Sequence, residues 1–140
     1  MATRSTITIS EFCNITALEF NRSVNLYRHW DGYPECTGLH LAHAARGATS
    51  IEEIVAKLLT EGEGSPHGGG RYEFTGAPEM HADREWHYEI TTRYGKQPLI
   101  RVEEHPIGED MLVVFNGDIS EYRKWIKDRL VAMIQYCKAA

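Results

Sequence analysis

Seven consecutive residues, Arg28-His29-Trp30-Asp31-Gly32-Tyr33-Pro34, set a guanidinium, an imidazole and a carboxylate beside two aromatic rings. Aromatic side chains and arginine are the usual anchors of binding interfaces, and together they would also suit a nucleotide base and its phosphate. His29 and Asp31 lie two residues apart. On a strand they would share a face at a spacing of about 7 Å, where the carboxylate could orient the imidazole or raise its pKa. The same residue types also serve structure: Asp31 can cap a helix starting at Pro34, Trp30 can fill a core, and His29 can rest on a sheet face. Tyr27, Arg28, His29, Asp31 and Tyr33 are expected to form a ligand or partner surface.

Two further clusters have metal-ligand chemistry. Cys36, His40 and His43 are spaced i, i+4, i+7 and so share one helical face; thiolate and imidazole bind zinc, with His29 or Asp31 available as a fourth ligand. Structural zinc sites usually draw ligand pairs from separate elements, however, and Gly38 weakens this helix. His81, Asp83 and His87, with Glu85 as a base, could serve a metal-dependent hydrolase, although a polar loop leading into an exposed strand face needs no metal. Cys36, just after Pro34, could be a helix-activated thiolate partnered by His29. No oxyanion-hole motif accompanies it, and no nucleophile elbow supports serine catalysis. No metal is favoured, no cofactor is implied and no catalytic residue is assigned.

The elements that must position these groups follow from periodicity. Alternation predicts strands at Thr6 to Phe12 and Val24 to Trp30, with Asn14 to Phe20 as an extended continuation or a connection. Val24, Leu26 and Trp30 then face the core, and Tyr27 and His29 face away. Gly32 and Pro34 turn the chain into a helix from Pro34 to Arg46, ended by Gly47 in the left-handed cap position. A capping box of Thr49 and Glu52 opens a second helix whose stripe is Ile51, Ile54, Val55, Leu58 and Leu59, ending before Gly62. Residues 61–70 read as a flexible loop without the Gly-Lys-Ser/Thr ending of a phosphate-binding loop. Further strands are predicted at Arg71 to Phe74, Trp86 to Tyr94, Leu99 to Glu104 and Met111 to Phe115, the middle two joined by a Tyr94–Pro98 turn. A helix from Asp118 to Cys137 carries a capping box (Asp118, Glu121) and a stripe of Ile119, Tyr122, Ile126, Leu130, Met133 and Cys137. The order is ββααββββα, an α+β fold: a mainly antiparallel sheet with helices packed on one side, in a single domain over residues 1–140.

Parts of this framework resemble a known group. The opening Met1-Ala2-Thr3-Arg4-Ser5-Thr6-Ile7, then Tyr27, His29-Trp30-Asp31-Gly32-Tyr33-Pro34, Gly38 and Leu41, resemble small proteins encoded by bacteriophages and prophages. Those proteins open with Met-Ala/Ser-Thr-Arg-Ser-x-Ile and carry Tyr-x-His-Trp-Asp-Gly-Tyr. The similarity ends before Gly47, and Cys36, His40, His43 and a longer connection ahead of Tyr27 depart from the pattern. The resemblance implies a phage origin and an accessory role, including interference with a host defence system. It implies no reaction.

Composition narrows the partners. The formal net charge is -5 with no basic stripe, which disfavours duplex nucleic acid. Arg123, Lys124, Lys127 and Arg129 share their helix with Glu121 and Asp128 and read as a solvated mixed-charge face. No apolar run suggests a signal peptide or a membrane span, and three unpaired-looking cysteines fit a reducing cytoplasm, that of the host for a phage product. The expectation is a non-catalytic accessory protein that binds a host protein or a small ligand, a nucleotide among them. A metal-dependent hydrolase and a structural homo-oligomer built through the last helix are the alternatives.

Overall fold

The fold was described from a computed structural model covering residues 3–15, 18–63, 72–93 and 95–139. A hairpin of β1 (Ser5–Ile15) and β2 (Leu18–Arg28) leads into a π-helical turn (Pro34–Gly38), α1 (Leu39–Ala45) and α2 (Ile51–Glu63). Then follow β3 (Tyr72–Thr75), a short 3-10 turn (Pro78–Met80), β4 (Trp86–Arg93), β5 (Lys96–Glu104), β6 (Leu112–Asp118) and the long α3 (Ile119–Ala139). The fold is α+β, with the strands in one sheet of order β3-β2-β1-β4-β5-β6. Every neighbouring pair is antiparallel except β1 and β4, which run parallel. Among the described residues no helix is long and apolar enough to cross a membrane.

Strand alternation sorts the sheet into two chemically distinct faces. Ile7, Ile9, Leu26, Tyr88, Ile90, Ile100 and Val102 point one way and are wholly buried with Leu41 of α1, Ile54 and Leu58 of α2, and Tyr122 and Ile126 of α3. The opposite face carries Thr6, Thr8, Asn25, Tyr27, His87, Glu89, Arg101 and Glu103, by the registers Thr6↔Tyr27, Thr6↔His87 and His87↔Glu103. The segment between β3 and β4 crosses this polar face, because β3 lies at one edge and β4 lies beyond β1. His81 marks the crossing, stacked flat on Tyr27 at 3.9 Å.

Helix boundaries follow local chemistry, with corrections. The π-helical turn, not an α-helix, begins at Pro34; α1 is the shorter piece behind it. Gly47 does take φ 68. The box on α2 is shifted by one residue: Glu53 N–H donates to Ser50 Oγ and Thr49 N–H to a Glu53 carboxylate oxygen. Glu52 is thereby freed to clamp Arg22. That helix also continues to Glu63, past the expected stop, and the rest of the 61–70 loop lies outside the described residues. The box on α3 forms as expected, with Glu121 N–H donating to Asp118 Oδ1 at 2.9 Å. Its stripe is buried only through Ile126 and partly at Leu130; Met133 and Cys137 are exposed, so neither is core. The turn between β4 and β5 is tighter than expected, since Lys96 to Pro98 already belong to β5.

Gly38 sets how closely α3 can approach. A Cβ there would meet Tyr122 Oη at 2.8 Å and Ile126 Cδ1 at 2.9 Å, and Tyr122 Oη donates to the Gly38 carbonyl at 2.9 Å. Gly38→Ala should therefore cost about 1–3 kcal/mol by overpacking, read as a lower urea midpoint at unchanged m-value.

Candidate functional site

The segment from Tyr27 to Cys36 is a junction whose polar groups divide between the inside and the outside of the fold. Strand β2 ends at Arg28, not Trp30. By the same alternation that buries Leu26 and partly buries Val24, Arg28 points into the helical layer, where it is 1% exposed. Its Nη1 donates to Thr37 Oγ1 at 2.9 Å and to Tyr72 Oη and His40 Nδ1 at 3.2 Å, and lies 3.7 Å from Cys36 Sγ. The guanidinium also sits 4.8 Å from the Tyr72 ring centre. Arg28 was expected on a contact surface. It is an internal fastener tying β2 to the π-helical turn, α1 and β3.

The proton positions follow from these bonds. An arginine can only donate, so His40 Nδ1 is an acceptor, and Tyr72 Oη donates to the same nitrogen at 2.9 Å. His40 is therefore neutral, with its proton on Nε2. Burial first, and the Arg28 charge second, lower its pKa from 6.5 to about 4. The Cys36 thiol is pushed up by burial, against the pull of Arg28, so it is not the activated nucleophile that its place after Pro34 suggested.

The turn beyond Arg28 is held from three directions. Asp31 adopts φ 56, and its carbonyl accepts from Thr37 Oγ1 at 2.7 Å and Thr37 N–H at 3.2 Å. Gly32 N–H donates to Thr3 O at 2.8 Å, and its carbonyl accepts from Tyr88 Oη at 2.8 Å. A Cβ at Gly32 would fall 2.7 Å from Thr3 O and 2.8 Å from Ser5 Cβ, so glycine lets the turn press against β1. The Asp31 side chain neither caps the following turn nor orients His29; it accepts a long bond from Tyr33 Oη at 3.4 Å.

Around this anchored turn the remaining side chains face outward. Trp30, expected in the core, is 40% exposed, and Tyr33 is 37% exposed. His29 meets Trp30 edge-on at 5.0 Å and its Nδ1 shares a hydrogen with Tyr27 Oη at 2.9 Å. Tyr27 stacks on His81, whose Nε2 is bonded to Thr75 Oγ1. Tyr27, His29 and Trp30 thus form one continuous aromatic ridge with His81, which sequence reasoning had placed in a metal cluster.

Neither metal cluster assembles. Among the described residues no three His, Cys, Asp or Glu side chains converge as ligands. In the first set the Arg28 cation lies against Cys36 and His40, and His43 is exposed on the surface. In the second, His81 stacks on Tyr27, Asp83 pairs with Arg4 at 3.1 Å, and His87 is buried against Thr6. The polar face instead holds a network that sequence reading missed. His87 Nδ1 lies 2.7 Å from Thr6 Oγ1, and the cross-strand Glu103, 7% exposed, meets His105 Nε2 at 3.1 Å and Arg101 at 3.3 Å. Burial lowers the His87 pKa against the opposing pull of Glu103 and Glu89. The signal was available in the hairpin register, which places Glu103 opposite His87.

No family model, curated protein or solved structure matches the chain.

Arg28→Ala should cost about 3 kcal/mol or more, since it opens a cavity and strands the partners of a buried cation. The pH dependence has a definite sign. His40 and His87 take up protons less readily when folded than when unfolded, so stability should fall as pH drops from about 6.5 toward 4. Urea midpoints across that window should decline in the wild type and decline less steeply in His40→Gln. An equal slope would show that the neutral His40 is not part of the fastener's energetics.

Proposed function

We propose that the chain is a non-catalytic binding protein whose contact surface is the aromatic ridge at Trp30 together with the neighbouring exposed Tyr33, with a protein as its partner. The observation that carries this reading is the pairing of two exposed aromatic rings with a turn anchored by hydrogen bonds on both sides. Large, rigid side chains displayed on a fixed backbone lose little entropy on binding and are the usual centres of hot spots. His29 and Asp31 flank the rings with polar groups suited to an interface rim. Arg28 leaves the proposed contact set and becomes its support.

A protein suits this ridge better than a small ligand. Small-molecule sites are concave, and none of three described cavities, of about 700, 410 and 480 Å³, counts Trp30 or Tyr33 in its lining. The likeness of Met1–Ile7 and His29–Pro34 to phage-encoded proteins supports a more specific version, in which the partner is a host protein in the host cytoplasm and the outcome is counter-defence. Among the described residues no group of His, Cys, Asp or Glu converges to hold a metal, so no geometry there favours the metal-dependent hydrolase alternative.

Trp30→Ala should change stability by less than about 1 kcal/mol, as for other exposed substitutions, yet weaken the partner complex at least about 30-fold. Affinity capture from bacterial extract with wild type, Trp30→Ala and Tyr33→Ala, read beside their melting temperatures, tests this. A stoichiometric partner retained by Trp30→Ala, or a Trp30→Ala variant as unstable as Arg28→Ala, overturns the reading.

A further inference from the structure

At the other end of the sheet, about 23 Å along β1 from the aromatic ridge, four cations surround one cavity. Arg46 follows α1, Arg93 ends β4, Lys96 opens β5 and Arg123 lies in the first turns of α3; with Thr49 and Ser120 they line a space of about 700 Å³ whose lining, among the described residues, holds no carboxylate. Among the described residues none of the four forms an ion pair. The Arg93 Nε is buried with no hydrogen-bond partner, while its Nη2 donates to Gln97 O at 2.8 Å. The carboxylates at the adjoining helix starts are already engaged, Glu53 by Thr49 N–H and Asp118 by Glu121 N–H.

This arrangement is unfavourable for an empty site. Four like charges repel one another across a shared cavity. An anion between them relieves that repulsion. We propose that this cavity binds a phosphate-bearing small molecule of nucleotide size. Its volume lies within the ordinary range of ligand pockets, about 300–1,000 Å³. Arginine forks match phosphate oxygens bidentately; the Thr49 hydroxyl already donates to Glu53 Oε1 at 3.4 Å and the Ser120 hydroxyl to Gln97 Oε1 at 3.1 Å, so the cations carry the recognition. Arg123 also borders a second cavity of about 410 Å³, floored by Leu39, Ile126 and Leu130 and rimmed by Lys124 and Lys127. The basic residues of α3 that read as a solvated face thus divide: Arg129 turns to Glu35 at 2.9 Å, and Arg123 turns to the cavity.

The site is independent of the aromatic ridge, and its test separates the two. Wild-type protein is titrated at low ionic strength with tripolyphosphate, with a nucleoside triphosphate and with a short polyglutamate peptide. Tripolyphosphate should bind saturably at one site, weaken as salt is added, and raise the melting temperature by about 5–10 °C at a hundredfold excess over Kd. A nucleoside triphosphate that binds more tightly identifies the nucleotide class, and one that binds equally identifies bare polyphosphate; both sustain the proposal. The double variant Arg46→Gln/Arg123→Gln should lose at least about tenfold in affinity with the melting temperature of the unliganded protein no lower than that of the wild type, and Trp30→Ala should bind phosphate as the wild type does. No saturable binding by wild type, undiminished affinity in the double variant, or tighter binding of polyglutamate overturns it.

Discussion

A buried guanidinium governs how the two halves of this fold meet. Arg28 leaves the end of β2 and enters the helical layer, where taking its charge from water would be prohibitive without several acceptors. Those acceptors come from three different elements: Thr37 from the π-helical turn, His40 from α1 and Tyr72 from β3. None is close to Arg28 along the chain, so the cation is satisfied only when the turn, helix and edge strand are all in place. The demand also fixes chemistry, because a permanent donor aimed at Nδ1 forces His40 to stay neutral. A hydrophobic residue at position 28 could fill the space. It could not specify the orientation of three polar partners at once.

The exposed ridge depends on that fastener. Thr37 accepts from Arg28 and passes its own hydroxyl proton to the carbonyl of Asp31, the residue held at φ 56. Gly32 then lies close enough to β1 for a backbone hydrogen bond to Thr3, while Tyr88 reaches up from the sheet to its carbonyl. The chain between Asp31 and Gly32 is thereby fixed on both sides, and Trp30 and Tyr33, immediately beside it, inherit that fixity. Their exposure is a consequence of where β2 stops. One more residue of strand would have carried the backbone on past Arg28 and altered which side chains the turn displays.

Much of the architecture was legible because it rests on local periodicity. Element order, the two-faced β4 and the capping box of α3 all follow from patterns within a few residues. The failures share a cause, which is that residue type was allowed to outweigh position. Arg28 has the same parity as Val24 and Leu26, so alternation already pointed it inward, yet a charged side chain was read as surface. Trp30 has that parity too, but the strand had ended before it. On α3 the apolar stripe runs on through Met133 although the supporting sheet does not, since a helix of 21 residues spans about 31 Å. Contacts set by register or by distant segments were invisible to local patterns. Glu103 finds His87 only through the β4–β5 pairing, and Arg46, Arg93 and Arg123 share a cavity only because α1 and β4 end where α3 begins.

Net charge is a poor guide to the local field for the same reason. The chain carries five more acidic than basic side chains, but many of its carboxylates are locked in place. Glu11 and Glu52 close on Arg22, Glu35 on Arg129, Glu103 on Arg101 and Asp83 on Arg4. The one-to-one pairs neutralise themselves where they stand, the two carboxylates on Arg22 are half neutralised, and all contribute less at a distance. Asp118 and Glu121 are drawn to the start of α3 by its unsatisfied N–H groups, which holds them to the backbone instead of the neighbouring cations. What remains near the β4–β5 turn is the surplus of the opposite sign. The overall balance argues against a surface long enough to follow a duplex, and that argument leaves a confined cationic pocket untouched: a duplex is met by an extended array of cations, whereas a few phosphates need only the handful that the ends of α1, β4 and α3 bring together.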